Sequence, residues 1–154
     1  ASDGTLGEDW TITLNLIPLV MKAALGRLPH VTVFGTDYPT RDGTAVRDYV
    51  HVEDLAEAHV LALEALRPGR GDAYNLGNGA GFSVRQVIEV CSAVTGADLR
   101  VTEAPRRAGD PPVLVADAAK AAARLGWRPR RPALEEIVAS AWAWHSAHPD
   151  GYAA

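Results

Sequence analysis

Cysteine is almost missing from this chain. Cys91 is the only one, so no disulfide can close within the sequence, and a reducing cytosol fits. Its neighbours Val87, Ile88, Val90 and Val94 set it on an apolar helix face, where a lone thiol is expected as a core residue. No apolar run approaches the roughly 18 residues that a spanning helix needs. The first ten residues lack the charged-then-apolar pattern of a signal peptide. The expectation is a soluble, cytoplasmic protein with no membrane partner. Fifteen basic residues against nineteen acidic leave a net charge of -4, and no basic block is denser than Arg124 to Arg131. Nucleic acid is therefore not an expected partner. Internal repeats, low-complexity tracts and a convincing linker are lacking too.

What is there is ordinary globular composition. With 154 residues, 47% of them hydrophobic, the chain is long enough for one sizeable core. The opening residues, with Gly4 and Gly7, read as a loop. A helix fits Leu16 to Leu25, with Pro18 tolerated in the first turn and Gly26 as the stop. Strands are expected at Val31 to Phe34, Ala45 to Val52, Ala73 to Leu76, Leu99 to Val101 and Val113 to Val115. Asp54 is the expected N-cap of a helix over Leu55 to Leu66, Ser83 with Gln86 forms a capping box, and Asp117 caps a helix over Ala118 to Leu125. A last helix fits Ala133 to Ala147, and Pro105 to Pro112 is a loop. The alternation of strands and helices predicts an α/β fold of short, mixed elements.

Arginine carries the chemistry. Arg47 stands in a strand between Val46 and Val50, where a guanidinium is costly unless it finds an anion. Arg106-Arg107-Ala108-Gly109-Asp110 lies in a proline-bracketed loop with two forked donors and an acceptor. Forks approaching from two segments match the oxygens of a diphosphate. The plainer reading has Arg47 paired with Asp48 or Asp54 and Arg107 facing solvent. His51 titrates near neutrality, but no nucleophile accompanies it, and a histidine ahead of a helix makes a local hydrogen bond more often. Glu8, Asp9, Asp37 and Asp42 lack metal-ligand spacing. The glycines of Gly77-Asn78-Gly79-Ala80-Gly81 are out of register for a dinucleotide fingerprint and lack the Lys-Ser/Thr of a P-loop, so a tight turn leading to Ser83 is expected. Trp10, Trp127, Trp142 and Trp144 read as packing residues.

Taken together, these residues resemble the carboxyl-terminal part of the extended short-chain dehydrogenase/reductase family, and most closely its UDP-galactose (UDP-glucose) 4-epimerase branch. The likeness runs through Asp3 to Asp9, Asn15-Leu16-Ile17-Pro18, Phe34 to Ala56, Tyr74-Asn75-Leu76-Gly77, Pro105 to Asp110 and Trp142 to Tyr152. Arg47 to Ala56 alone indicates the wider nucleotide-sugar group, and Asp37 to Thr44 narrows it to 4-epimerases.

The resemblance implies that Asn15 and Leu16 contact UDP and that Thr32, Val33 and Phe34 run beside the uracil through backbone groups. It further implies that Arg47 and Arg107 hold the diphosphate with Tyr49 nearby, and that Asp110 binds the ribose. Two positions depart from the pattern. Asn15 follows Thr13-Leu14 where relatives often read Thr-His, and Leu114 stands at the family's gate on the sugar pocket, often a tyrosine. On that resemblance, a leucine there is expected, by side-chain volume, to leave room for N-acetylated sugars. The family's Gly-rich NAD turn and its Tyr-x-x-x-Lys pair do not occur in this sequence, so residues 1–154 are expected to form a substrate-binding lobe without the Rossmann half. The implied whole is an NAD-dependent UDP-glucose 4-epimerase whose partners are a UDP-sugar, the amino-terminal Rossmann half and a second copy of the complete enzyme. By itself this segment is expected to be inactive. The alternatives are a stand-alone nucleotide-sugar binding module and a segment of a related dehydratase or decarboxylase.

Overall fold

The computed structural model describes residues 1–9 and 12–152; Trp10 lies outside them. In chain order the elements are α1 (Leu16–Ala24), β1 (Val31–Phe34), β2 (Val46–Arg47), α2 (Val52–Glu64), β3 (Phe82–Ser83), α3 (Val84–Thr95), β4 (Val101–Ala104), β5 (Val113–Leu114), α4 (Ala119–Leu125) and α5 (Leu134–Ala147). The strands form two small sheets. β1 pairs with β4 in parallel, Val31 opposite Val101, and β2 lies between antiparallel β3 and parallel β5.

Helix ends follow local chemistry. Pro18 occupies the third position of α1, where a missing N–H costs no intrahelical bond. That helix stops where Gly26 takes φ 71°, the amide of Gly26 bonding to the Ala23 carbonyl and that of Arg27 to Lys22, the paired bonds of a Schellman motif. At α3 both capping-box bonds form between Ser83 and Gln86.

α2 departs from expectation. It begins three residues early, at Val52, and its N-cap is His51, whose Nδ1 accepts the amide of Glu53 at 3.1 Å. Asp54 lies in the first turn instead, and its carboxylate accepts the amides of Arg130 and Arg131, each at 3.0 Å. The expected strand at Ala45 to Val52 is reduced to two residues, Val46 and Arg47. Residues 73–76 pair with no strand among the described residues, although their exposure alternates as a strand's would, Tyr74 and Leu76 inward. Asp117 accepts the amide of Ala119 at 2.8 Å from just ahead of α4.

The main core joins α1, α3 and α5 to the β1–β4 pair through Val20, Met21, Val31, Val33, Val87, Cys91 and Val138. Cys91 is fully buried there, and burial pushes its thiol up to about 12. A second cluster sets Ala58 of α2 against Ala121 and Trp127. Trp142 packs on the main core, and Trp144 stacks on His148 at 3.8 Å between ring centres. No described helix is long and apolar enough to cross a membrane.

Candidate functional site

A cleft of about 1320 Å³ opens between α1, β1, the start of α2 and the 105–112 loop. Of the ten residues that the sequence puts on a ligand, Asn15, Leu16, Thr32, Phe34, Arg47, Tyr49, Arg107 and Asp110 line it. Val33 does not, because its side chain is 3% exposed in the main core. Leu114 lies opposite Arg47 in the β2–β5 register, but its side chain is exposed and outside the cleft.

β1 offers the cleft one free edge. Val31 and Gly35 donate their amides to the carbonyls of Arg100 and Ala104, so odd-numbered residues turn their peptide groups toward β4. Strand parity then points the groups of Thr32 and Phe34 the other way, where β1 has no partner strand among the described residues.

Arg47 and Arg107 line the same cleft. Residues 107–110 make a turn closed by the Asp110 amide on the Arg107 carbonyl at 3.2 Å, with Gly109 at φ 78° in its third position. That angle favours glycine, and the turn places the Arg107 and Asp110 side chains together. Arg107 lays its guanidinium over the Phe34 ring, 4.1 Å from the centroid, and makes no ion pair among the described residues. Arg47 donates one terminal nitrogen to its neighbour's carbonyl, that of Val46, at 2.6 Å and the other to the Asp110 carboxylate.

Asp48 and Asp54 are not its partners. Asp48 accepts the amides of Asn78 at 2.9 Å and Ala116 at 3.1 Å, and the amides of Arg130 and Arg131 hold Asp54. Arg106 is tied as well, to Asp37 at 2.7 Å and over the Tyr38 ring. Gly35 permits that approach, since a Cβ there would stand 2.5 Å from the Tyr38 ring and 2.7 Å from Arg106 Cγ. Arg107 is thus the fork of this loop that is left to a ligand.

Tyr49 adds an uncharged donor. Burial pushes its phenol up to about 12, so it keeps its proton at neutral pH. His51 does not take a catalytic posture: Nδ1 caps α2, which leaves the proton on Nε2, 3.0 Å from Ser140 Oγ, and burial holds the ring below its ordinary value. The Asp37–Thr44 loop is scaffold. Asp42 accepts the amide and hydroxyl of Thr44 and the hydroxyl of Ser83.

The cleft therefore brings together two guanidiniums, a phenol and a hydrogen-bonding strand edge, a set that suits an anion with a hydrogen-bonding group beside it. The GDP-mannose 4,6 dehydratase family profile matches residues 4–141. The chain belongs to that family. A UDP-glucose 4-epimerase of Halalkalibacterium halodurans is 52% identical over 151 residues, which are 97% of this chain and 45% of that protein. A crystal structure of a UDP-glucose 4-epimerase superimposes with a TM-score of 0.95 at 47% identity, covering 100% of this chain and 47% of the other. The Bifidobacterium longum UDP-glucose 4-epimerase in complex with NAD+ and UDP superimposes with a TM-score of 0.92 at 41% identity, covering 99% and 45%.

This member of the family thus spans about 45% of the length of the curated relatives it matches. Its α/β fold is that of the carboxyl-terminal portion of extended short-chain dehydrogenase/reductases of the epimerase kind. Sequence reasoning missed Glu8, Ser140 and Trp144 on the cleft wall. Glu8 accepts from Thr13 at 2.8 Å and Asn15 at 3.4 Å. A Cβ on Gly7 would meet the Trp144 ring at 2.0 Å, a dependence between distant positions that no local pattern signals.

Proposed function

We propose that this chain is the UDP-sugar-binding lobe of a UDP-glucose 4-epimerase, the enzyme that interconverts UDP-glucose and UDP-galactose. The observation that carries the reading is the convergence of Arg47 from β2 with Arg107 and Asp110 from the 107–110 turn on one cleft. Two forked cations match a diphosphate, the Asp110 carboxylate is an acceptor for ribose hydroxyls, and the free peptide groups of Thr32 and Phe34 complement the edge of a uracil. Anchoring the nucleotide leaves the hexose free to turn. The lobe's contribution is orientation.

NAD, which the complete enzyme requires on this reading, does not fit the residues of this chain. The amides at the start of α3 are closed by the Ser83–Gln86 box, so no pyrophosphate is received there. A side chain on Gly77 would collide with Asp48 Oδ2 at 2.2 Å, which makes Gly77 a packing glycine. Cofactor and bond chemistry therefore fall to the amino-terminal half.

α2 supports a lobe over a free-standing module. While Ala58 and Leu61 face Trp127, the opposite arc exposes Val52, Leu55, Val60 and Leu63, and Leu66 just past the helix end is exposed too. An apolar stripe of that extent marks a surface covered in the working protein. Residues 74–76, which pair with no strand among the described residues, offer backbone groups to the same amino-terminal half. The names of the curated relatives favour an epimerase over a dehydratase or decarboxylase.

Calorimetric titration of a full-length enzyme carrying this segment with UDP, UDP-glucose, GDP and CDP tests the reading. The expected result is binding of the two uridine nucleotides that Arg47→Ala and Arg107→Ala each weaken about tenfold to a hundredfold. Equal affinity for all four nucleotides, or indifference to both arginines, overturns it.

A further inference from the structure

Resting on the diphosphate site just described, we infer that Asp110 is an internal anion that occupies Arg47 until a ligand able to reach both arginines displaces it. The two guanidiniums are not equivalent in the free chain. Arg107 is stacked on Phe34 and has no carboxylate partner among the described residues. Arg47 is already neutralised by Asp110, with 22% and 29% of the two side chains exposed, so water screens this pair less than one on the surface. The two carboxylates nearest in sequence, Asp48 and Asp54, are held by backbone amides instead.

A consequence for selectivity follows. A small anion gains Arg107 alone and leaves the Arg47–Asp110 pair intact. A diphosphate that spans the two must compete with Asp110 for Arg47, and its second phosphate supplies the charge to do so. Only a fraction of free chains present an open Arg47, and apparent affinity for a spanning anion is reduced by that fraction. Asp110 is in this sense a specificity residue that acts through Arg47, in addition to any contact of its own with the nucleotide. It keeps the anion site from standing open to single phosphates.

The test uses inorganic pyrophosphate, inorganic phosphate and UDP, titrated into the chain and into Asp110→Asn and Asp110→Ser. Removing the carboxylate should tighten pyrophosphate roughly three- to tenfold, narrow its advantage over phosphate, and lose the gain when Arg47→Ala is added. A purely structural role for Asp110 predicts the opposite sign, weaker binding of every anion, and that result overturns the inference, as does failure of the Asp110 variants to bind pyrophosphate. Should the variants not fold, the guanidinium proton resonances of the unaltered chain decide. Pyrophosphate should shift those of Arg47 and Arg107 together, and a shift confined to Arg107 rules the exchange out. UDP separates this inference from the reading beneath it. If pyrophosphate behaves as expected but UDP binds no tighter than pyrophosphate, the uridine site fails and the Asp110 exchange stands.

Discussion

Trp127 donates its indole N–H to the carbonyl of Asp54 at 2.9 Å, while the carboxylate of the same aspartate receives two amides from the loop that follows Trp127. One residue in the first turn of α2 therefore holds the segment that leads from α4 to α5. Asp54→Ala strands two partly buried donors and should cost about 2–3 kcal/mol. Asp54→Asn should recover only part of this, since an amide offers one acceptor where two are needed. Urea unfolding measures both, and a loss under about 0.5 kcal/mol would count against the brace.

His51 gives stability a pH dependence whose sign follows from its role as cap. Nδ1 must stay unprotonated to accept the Glu53 amide, and burial holds the folded-state value below 6.5 despite the nearby carboxylates of Glu53, Asp54 and Glu136. The unfolded chain therefore takes up a proton first. Stability is fully present above about pH 6.5 and falls as pH drops from there toward the lower folded value. His145, likewise held low by burial, titrates in the same direction. His51→Asn keeps a capping side chain and should flatten the decline without abolishing it. Urea midpoints across that range give the slope, and an unchanged slope in the variant would assign the decline to other groups.

The elements most legible in the sequence were those that depend on neighbours along the chain. The Ser83–Gln86 box and the Gly26 stop form as expected because every atom they need lies within a few residues. Asp54 misleads for a related reason. It is a good capping residue by type, yet His51 fills that role, and the carboxylate is drawn to Arg130 and Arg131, far along the sequence. Residues 73–76 carry a strand pattern, but a strand exists only with a partner, and the described residues supply none. Arg47 and Arg107 were visible as costly or paired cations. The Asp110 carboxylate on Arg47 was not, because it depends on how the 107–110 turn folds back toward β2.

Phe34 should act on ligand binding through Arg107. Its ring lies under the guanidinium at 4.1 Å, and such a contact is worth about 0.5–1 kcal/mol. Phe34→Leu should weaken UDP binding about two- to fivefold, and the effect should vanish when Arg107→Ala is already present. A double-mutant cycle by calorimetry measures this coupling, and additive losses would mean that Phe34 meets the nucleotide independently.

If the UDP-sugar reading holds, Leu114 is the residue expected to govern which sugar is accepted. It stands exposed beside Arg47 in the register, and by volume alone a leucine leaves more room than a tyrosine. In a full-length enzyme carrying this segment, Leu114→Tyr should lower kcat/KM for UDP-N-acetylglucosamine about tenfold or more relative to UDP-glucose. An unaltered ratio, or no turnover of the acetylated sugar by the parent, would remove Leu114 from sugar selection.

The outward stripe of α2 makes the lobe reading testable without any ligand. Leu63 is 68% exposed and Leu66 59%, so in the isolated chain a charged substitution at Leu63 removes little packing. Its cost there should stay within about 0.5 kcal/mol. If the stripe is covered by the amino-terminal half in the complete enzyme, the same substitution buries a carboxylate against apolar surface, which costs far more than the lost leucine contacts. Leu63→Glu should then lower the melting temperature of a full-length enzyme markedly while barely moving that of this chain. Equal shifts in the two proteins would show that α2 faces solvent in both, and the case for a missing partner would have to rest on residues 74–76 instead.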